Sequence, residues 1–152
     1  MPAVIDAAVH RKLAADLFNE VWSLLEKRNR TSEEDDRMIH AAHASRFHWQ
    51  DIGSPREWSI GEWQISRVYA VLKRAEPAIY HGQRALNWAR DHSIGPFFIA
   101  YGYEALARAY AVADDIDSAK KHIAEARKTA ASIPDPADQK HLEDDLATVG
   151  VV

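Results

Sequence analysis

The residues best suited to chemistry in this sequence are histidines between positions 40 and 48. His40 and His43 are three residues apart, which places both imidazoles on one face of a helix. There they could share a metal ion or carry a proton near neutral pH. His48 points away from His43, so a third ligand would have to come from another helix, with Glu62 or His81 as candidates. One hypothesis is a metal-binding helical-bundle enzyme or sensor centred on His40 and His43, and the simpler interpretation is hydrogen-bonded histidines in a helix contact.

The sequence carries none of the common catalytic motifs. It has no cysteine, which excludes disulfides, a thiol nucleophile and thiolate metal sites. It also lacks a Gly-rich phosphate loop, a Gly-x-Ser-x-Gly elbow and a His-Glu-x-x-His pair. Asp114, Asp115 and Asp117 lack the glycine and glutamate of a calcium loop and are explained as turn and capping residues. We therefore expect a non-enzymatic protein that needs no cofactor.

The composition favours an all-α protein with a single domain. The chain has 152 residues, among them 26 alanines but only six glycines and six prolines. Alanine is the strongest helix former and a poor strand residue. This length suits one domain or one short repeat array, and 47% hydrophobic residues are enough for a core. We therefore expect helices throughout residues 1–152.

Charge and hydropathy limit the partners that the chain can have. Nineteen basic residues against 23 acidic ones give a net charge of −4, so no overall positive field attracts nucleic acid. No apolar run approaches the roughly 18 residues that a membrane span needs. The first residues lack the pattern of a secretory signal, and the absence of cysteine fits a reducing compartment. We expect a cytoplasmic protein that binds neither nucleic acid nor membrane.

Helix-capping residues divide the chain into about seven helices. Asp6 can cap the first helix. The second can begin with either of two capping boxes, Thr31 with Glu34 or Ser32 with Asp35. Prolines are expected at the first position of three later helices. They are Pro55, Pro77 and Pro136.

The short connections between these segments predict antiparallel helical hairpins. The first hairpin, over residues 1–53, is the most divergent. A second hairpin spans 54–95 and a third spans 96–133. The last segment, 134–152, carries a thin apolar line and is predicted to be a C-terminal capping helix.

An internal repeat links the second and third hairpins. Four residues recur 41 positions later with similar size and type. The pairs are Ile65 and Leu106, Tyr69 and Tyr110, Ala78 and Ala119, and Ala85 and Ala126. The stretch 103–126 resembles the tetratricopeptide repeat signature. The stretch 62–85 resembles a weaker copy, in which Glu62, Ser66 and Gly82 depart from the family's preferences.

The resemblance implies a short right-handed superhelix built from stacked antiparallel hairpins. The usual period is 34 residues, so a shift of 41 adds about two helical turns without rotating the helix faces. In this family the first helix of each hairpin lines a concave face that holds peptides or partner helices. A final unpaired helix that covers the last apolar stripe is also typical of the family.

When the resemblance is applied to the 41-residue repeat of this chain, it implies five candidate binding residues on the concave face. Trp63 and Arg67 come from the third helix, and Tyr101, Glu104 and Arg108 come from the fifth. The two arginines occupy equivalent positions and could hold a carboxylate or an acidic peptide between them, with the aromatic rings as apolar platforms. We therefore expect a protein- or peptide-binding scaffold or adaptor.

Two alternatives remain open for this face. The arginines could instead pair with Glu62 and Glu104 of the same chain. The concave face could also bind a second copy of the chain and form a homodimer. Most other aromatic residues are expected in the core, with Trp22 and Trp49 closing the first hairpin.

Overall fold

The computed structural model describes residues 4–150, which form seven α-helices and no strand. No helix in this range is long and apolar enough to cross a membrane. The first and last residues of the predicted ranges 1–53 and 134–152 lie outside the described part. The helices are α1 (Ala7–Leu25), α2 (Ser32–His48), α3 (Pro55–Val71), α4 (Ala75–Asp91), α5 (Pro96–Val112), α6 (Ile116–Ala130) and α7 (Pro136–Leu146).

Side-chain caps fix the starts of the first three helices. The Asp6 carboxylate accepts a hydrogen bond from the Ala8 amide at 2.7 Å, as expected for α1. At α2 the capping box is the one formed by Thr31 and Glu34, each side chain accepting from the other residue's amide. Ser54 caps α3 and Pro55 follows at its first position.

The predicted start of α4 is wrong by two residues. Pro77 was expected to begin α4, but the helix begins at Ala75 and Pro77 is its third residue. The first four amides of a helix have no intrahelical acceptor, so a proline there leaves the hydrogen bonding unchanged. The helix α6 begins at Ile116, and the Asp115 carboxylate caps it by accepting a hydrogen bond from the Ser118 amide at 3.1 Å, in line with the capping role expected for this aspartate.

The seven helices stack in two layers. Each helix packs against the next one along the chain, and connections of three to six residues reverse the chain direction. In addition, α1 contacts α3, α3 contacts α5, and α5 contacts α7, so these four helices form an inner layer. The helices α2, α4 and α6 form the outer layer. The prediction of an all-α stacked arrangement is confirmed, and it is compatible with a helical repeat fold.

The hydrophobic core consists of three clusters along the stack, and α7 closes one end of it. At one end Val21, Met38 and Ile65 join α1, α2 and α3. At the other end Leu142 and Leu146 of α7 are buried against α5 and α6. Transfer of such side chains from water contributes about 1.5–3 kcal/mol each. Burial of the thin apolar line of the last helix therefore helps to hold it on the stack.

Small residues let the two layers approach closely, most of all at Gly102 in α5. A β-carbon built on Gly102 would lie 2.7 Å from the Cα atom of Leu86 in α4 and 2.9 Å from its Cβ atom. These distances are below van der Waals contact, so only glycine allows the present spacing of α4 and α5.

Replacing Gly102 by alanine therefore destabilises the protein although alanine favours helices. We expect Gly102→Ala to lower the free energy of unfolding by about 1–3 kcal/mol, because the two helices must separate. Urea unfolding followed by tryptophan fluorescence measures this change. Gly150→Ala is the control, since nothing lies within 4 Å of a β-carbon there. Equal stability of the two variants would contradict the close-packing account.

Candidate binding groove

The four inner-layer helices turn side chains toward a shared cavity of about 470 Å³. This volume is within the range of protein sites that enclose a ligand or a cluster of side chains. Six aromatic rings dominate the lining, and the polar side chains lie mainly toward α7. The lining residues are Phe18, Trp22, Ser59, Ile60, Trp63, Arg67, Phe97, Phe98, Tyr101, Gly102, His141 and Asp145.

A second cavity of about 200 Å³ adjoins the first. The two share Phe18 and Ile60 in their linings. We call the two adjoining cavities together the groove. The smaller cavity is lined by Ala15, Phe18, Asn19, Trp49, Glu57, Ile60 and Gly61.

Aromatic contacts form the wall of the groove from α1 to α5. The rings of Trp22 and Trp63 have centroids 5.6 Å apart, and those of Trp63 and Tyr101 are 5.7 Å apart and edge-to-face. Phe97 continues the row at 4.9 Å from Tyr101. Aromatic pairs in such arrangements contribute about 0.5–1.5 kcal/mol each beyond the burial of their area. The wall is therefore formed before any ligand arrives.

The carboxylate of Glu104 lies behind this wall and is fully buried. It accepts hydrogen bonds from the Trp63 indole at 2.8 Å, from Arg67 at 3.1 Å and from Arg108 at 2.7 Å. The first two donors come from α3, while Arg108 is one turn away on α5 itself. Glu104 therefore joins three of the other candidate residues into one network, and a buried charge needs such partners.

The fifth candidate, Tyr101, connects this network to α7. Its hydroxyl donates to the Asp145 carboxylate at 2.8 Å. Burial, reinforced by this hydrogen bond and the charge of Asp145, raises the pKa of Tyr101 far above its usual range, so the phenol stays a neutral donor. Arg108 donates to the Asp145 carbonyl at 3.0 Å and to the Thr148 hydroxyl at 2.8 Å. The same side chains thus line the groove and hold α7.

The two arginines are already paired with carboxylates of their own chain. Arg67 and Arg108 both bind Glu104, and Arg67 also lies 3.9 Å from Asp145. Two guanidinium groups therefore face two carboxylates, which leaves no net charge at this end of the groove. An incoming carboxylate would compete with Glu104 for the arginines.

No protein-family model matches the chain. Neither a curated protein nor a solved structure matches it at a significant level.

The histidine cluster is engaged in hydrogen bonds between helices. Nε2 of His43 lies 2.8 Å from the Tyr69 hydroxyl, and Nδ1 of His81 donates to Glu62 at 2.6 Å. His40 is exposed on α2. Within residues 4–150, no group of three or more histidine, aspartate or glutamate side chains is arranged to hold a metal ion.

Electrostatics around this cluster favour a neutral His43 and a charged Glu62. Burial lowers the pKa of His43, and the neighbouring His81 lowers it further. Burial alone would raise the pKa of Glu62, but hydrogen bonds from His81 and Arg84 outweigh it and the pKa is lowered. Arg46 adds a third partner at 3.3 Å. Glu62 therefore serves as the anionic centre that joins α2, α3 and α4.

Several groove residues were missed by the sequence analysis. Trp22 and Trp49 were expected to close the first hairpin, yet both line the groove. A signal was present for Trp22, because Trp22, Trp63 and Glu104 are spaced 41 residues apart and occupy equivalent positions. Asp145 gave no comparable signal, since its role depends on how α7 docks.

Removing the Glu104 carboxylate is expected to destabilise the protein strongly. Glu104→Ala removes the acceptor of the Trp63 indole and the buried carboxylate that Arg67 and Arg108 share, which costs about 3–5 kcal/mol. Glu143→Ala is the matched control, because Glu143 pairs with Arg127 at the surface and such pairs contribute about 1 kcal/mol or less. Urea unfolding measures both, and a similar loss in the two variants would count against the network.

The lowered pKa of His43 predicts a pH dependence of stability. The pKa of His43 is lower in the folded state than the value of free histidine, about 6.5. The contribution of neutral His43 to the free energy of unfolding is therefore complete above about pH 6.5 and is lost as the pH falls below that value. The Tm of His43→Gln should therefore decline less than that of the wild type between about pH 7 and pH 5.5. His92→Gln, at an exposed position, is the control and should follow the wild type. Parallel profiles for all three proteins would refute the prediction.

Proposed function

We propose that the chain is a non-enzymatic binding module, built as a short tetratricopeptide-like stack, that holds an apolar segment of a protein partner in the groove. The observation that carries this proposal is the lining of six aromatic rings around a cavity of about 470 Å³. Aromatic side chains are enriched where proteins bind one another, because they supply large rigid contact areas. A cytoplasmic location and a use as an adaptor belong to the same proposal.

The groove's length favours a polymer segment over a small compact ligand. The two cavities meet at Phe18 and Ile60 and extend from Trp49 at one end to Asp145 at the other. A small molecule would fill the larger cavity and leave the smaller one unused. A segment with two neighbouring apolar side chains can fill both.

The charges within the groove favour an apolar ligand over a free carboxylate. Arg67 and Arg108 share Glu104 and lie beside Asp145, so a carboxylate would have to displace existing partners. An apolar side chain displaces only water and contributes about 25 cal/mol for each Å² that it buries. We therefore expect acidic groups of a partner outside the cavity. The binding role is also preferred over catalysis, because these titratable groups already serve structural pairs.

Selection of peptides from an unbiased display library tests the proposal. The immobilised protein is used to select random peptides of about 16 residues, long enough for four helical turns. The affinity of the enriched peptides is then measured by fluorescence anisotropy for the wild type and for Ile60→Glu. A carboxylate placed in the apolar groove should weaken binding by about tenfold or more.

Phe47→Glu is the matched control, since Phe47 is 69% exposed on α2 and does not line the groove. We expect its affinity to remain within about twofold of the wild type. The proposal fails if no peptide is enriched, or if Ile60→Glu binds the enriched peptides as well as the wild type does. It also fails if a second copy of the chain is what occupies the groove, which analytical ultracentrifugation of the wild type and Ile60→Glu would reveal as a dimer lost in the variant.

A further inference from the structure

Several polar groups in the groove wall are already used within the chain, although the buried Nε atom of Arg67 has no hydrogen-bond partner. The Ser59 hydroxyl donates to the Ala85 carbonyl at 2.9 Å, and the Trp63 indole donates to Glu104 at 2.8 Å. Among the lining residues, Asn19 and His141 are exposed polar side chains, one in each cavity. An extended peptide presents an N–H and a C=O at every residue, and each unpaired buried group costs about 1–3 kcal/mol. A wall with so few free partners is therefore unfavourable for an extended chain.

An α-helix meets no such cost, because its backbone groups bond to one another. Apolar side chains three or four residues apart lie on one helix face, about 5–6 Å apart at Cβ. This spacing suits two anchors in adjoining cavities, such as those that share Phe18 and Ile60. The groove therefore fits the apolar face of a helix better than a strand.

Two guanidinium groups lie at one end of the groove, where they outnumber the one carboxylate of the lining there, that of Glu57, which interacts with Arg56. Arg11 of α1 lies over the Trp49 ring at 5.4 Å, and Arg56 of α3 lies over the Phe98 ring at 5.5 Å. Both rings line the groove. Within the described residues neither arginine takes part in an ion pair, unlike Arg67 and Arg108 at the opposite end.

The position of Arg56 on its helix strengthens this charge. Arg56 is the second residue of α3, where the helix dipole is positive, and Arg11 lies in the second turn of α1. Both side chains are exposed and can turn toward a partner without losing an ion pair. Acidic side chains that flank an apolar helix face would find their complement here.

We infer that the ligand of the groove is an amphipathic helix whose apolar face fills the two cavities and whose acidic residues pair with Arg11 and Arg56. This inference rests on the proposed function of the groove. It specifies the conformation of the ligand and the sign of its charge, and it assigns Arg11 and Arg56 as specificity residues.

Charge reversal of Arg11 and Arg56 tests the inference, with the peptides selected on the wild type as ligands. The double variant Arg11→Glu with Arg56→Glu should lose about five- to thirtyfold in affinity, since it replaces two surface attractions by repulsions. The matched control is Arg28→Glu with Lys121→Glu, which changes the net charge equally at exposed positions away from the groove. Circular dichroism and Tm confirm that all variants are folded. Raising NaCl from about 50 to about 300 mM should weaken wild-type binding and reduce the difference between wild type and charge-reversed protein.

The peptides themselves test the helical conformation. Replacing a central, non-anchor residue of an enriched peptide by proline should reduce affinity by about 100-fold, because proline costs a helix about 3 kcal/mol, whereas alanine at the same position should not. Replacing the peptide's acidic residues by their amides should reproduce the effect of the arginine reversal.

The outcomes separate this inference from the proposed function. Suppose that Ile60→Glu abolishes binding, but that proline in the peptide is tolerated or that reversal of Arg11 and Arg56 changes nothing. The groove is then a binding site, and the inference that its ligand is an acidic helix is wrong. If Ile60→Glu has no effect, the groove assignment itself fails and the inference fails with it. Enrichment of peptides that are basic or rich in proline would also overturn the inference.

Discussion

The buried carboxylate of Glu104 is the interaction on which the arrangement of the inner layer depends. It accepts hydrogen bonds from Trp63 and Arg67 of α3 and from Arg108 of its own helix. Arg108 in turn reaches the backbone of α7. A buried charge is tolerated only when its donors are in place, so α3 and α5 have little freedom to shift relative to each other. The spacing of these helices sets the width of the groove.

The same network explains why the groove is apolar although arginines were expected to define it. Because Arg67 and Arg108 are neutralised by Glu104 and lie beside Asp145, they support the wall and leave its aromatic rings as the accessible surface. At the other end, Arg11 and Arg56 form no ion pair within the described residues, and they outnumber the nearby carboxylate of Glu57. The groove therefore has an apolar interior, and its basic side chains Arg11 and Arg56 lie at one end.

Local features could be predicted from the sequence, whereas features that depend on packing between distant helices could not. Capping by Asp6 involves residues within one turn, so the residue type alone was sufficient, and at α2 the residue types narrowed the start to two neighbouring capping boxes, of which the one with Thr31 forms. The 41-residue register placed Trp63 and Glu104 at equivalent positions, and they are in contact. The partners of Arg67 required knowledge of the distance between α3 and α5. The role of Asp145 depends on how α7 docks. The short apolar line of α7 indicates that the helix packs on the stack, but it does not give the orientation of the helix there.

The most direct measurement of the central claim is the response of the five tryptophan indole N–H signals in a ¹H–¹⁵N correlation spectrum to a peptide selected on the wild type. Trp22 and Trp63 line the groove, while Trp88 is packed against Trp58 away from it. Binding in the groove predicts that the Trp22 and Trp63 signals shift with the bound fraction and that the Trp88 signal stays in place. A shift of Trp88 with unchanged Trp22 and Trp63 signals would contradict the account.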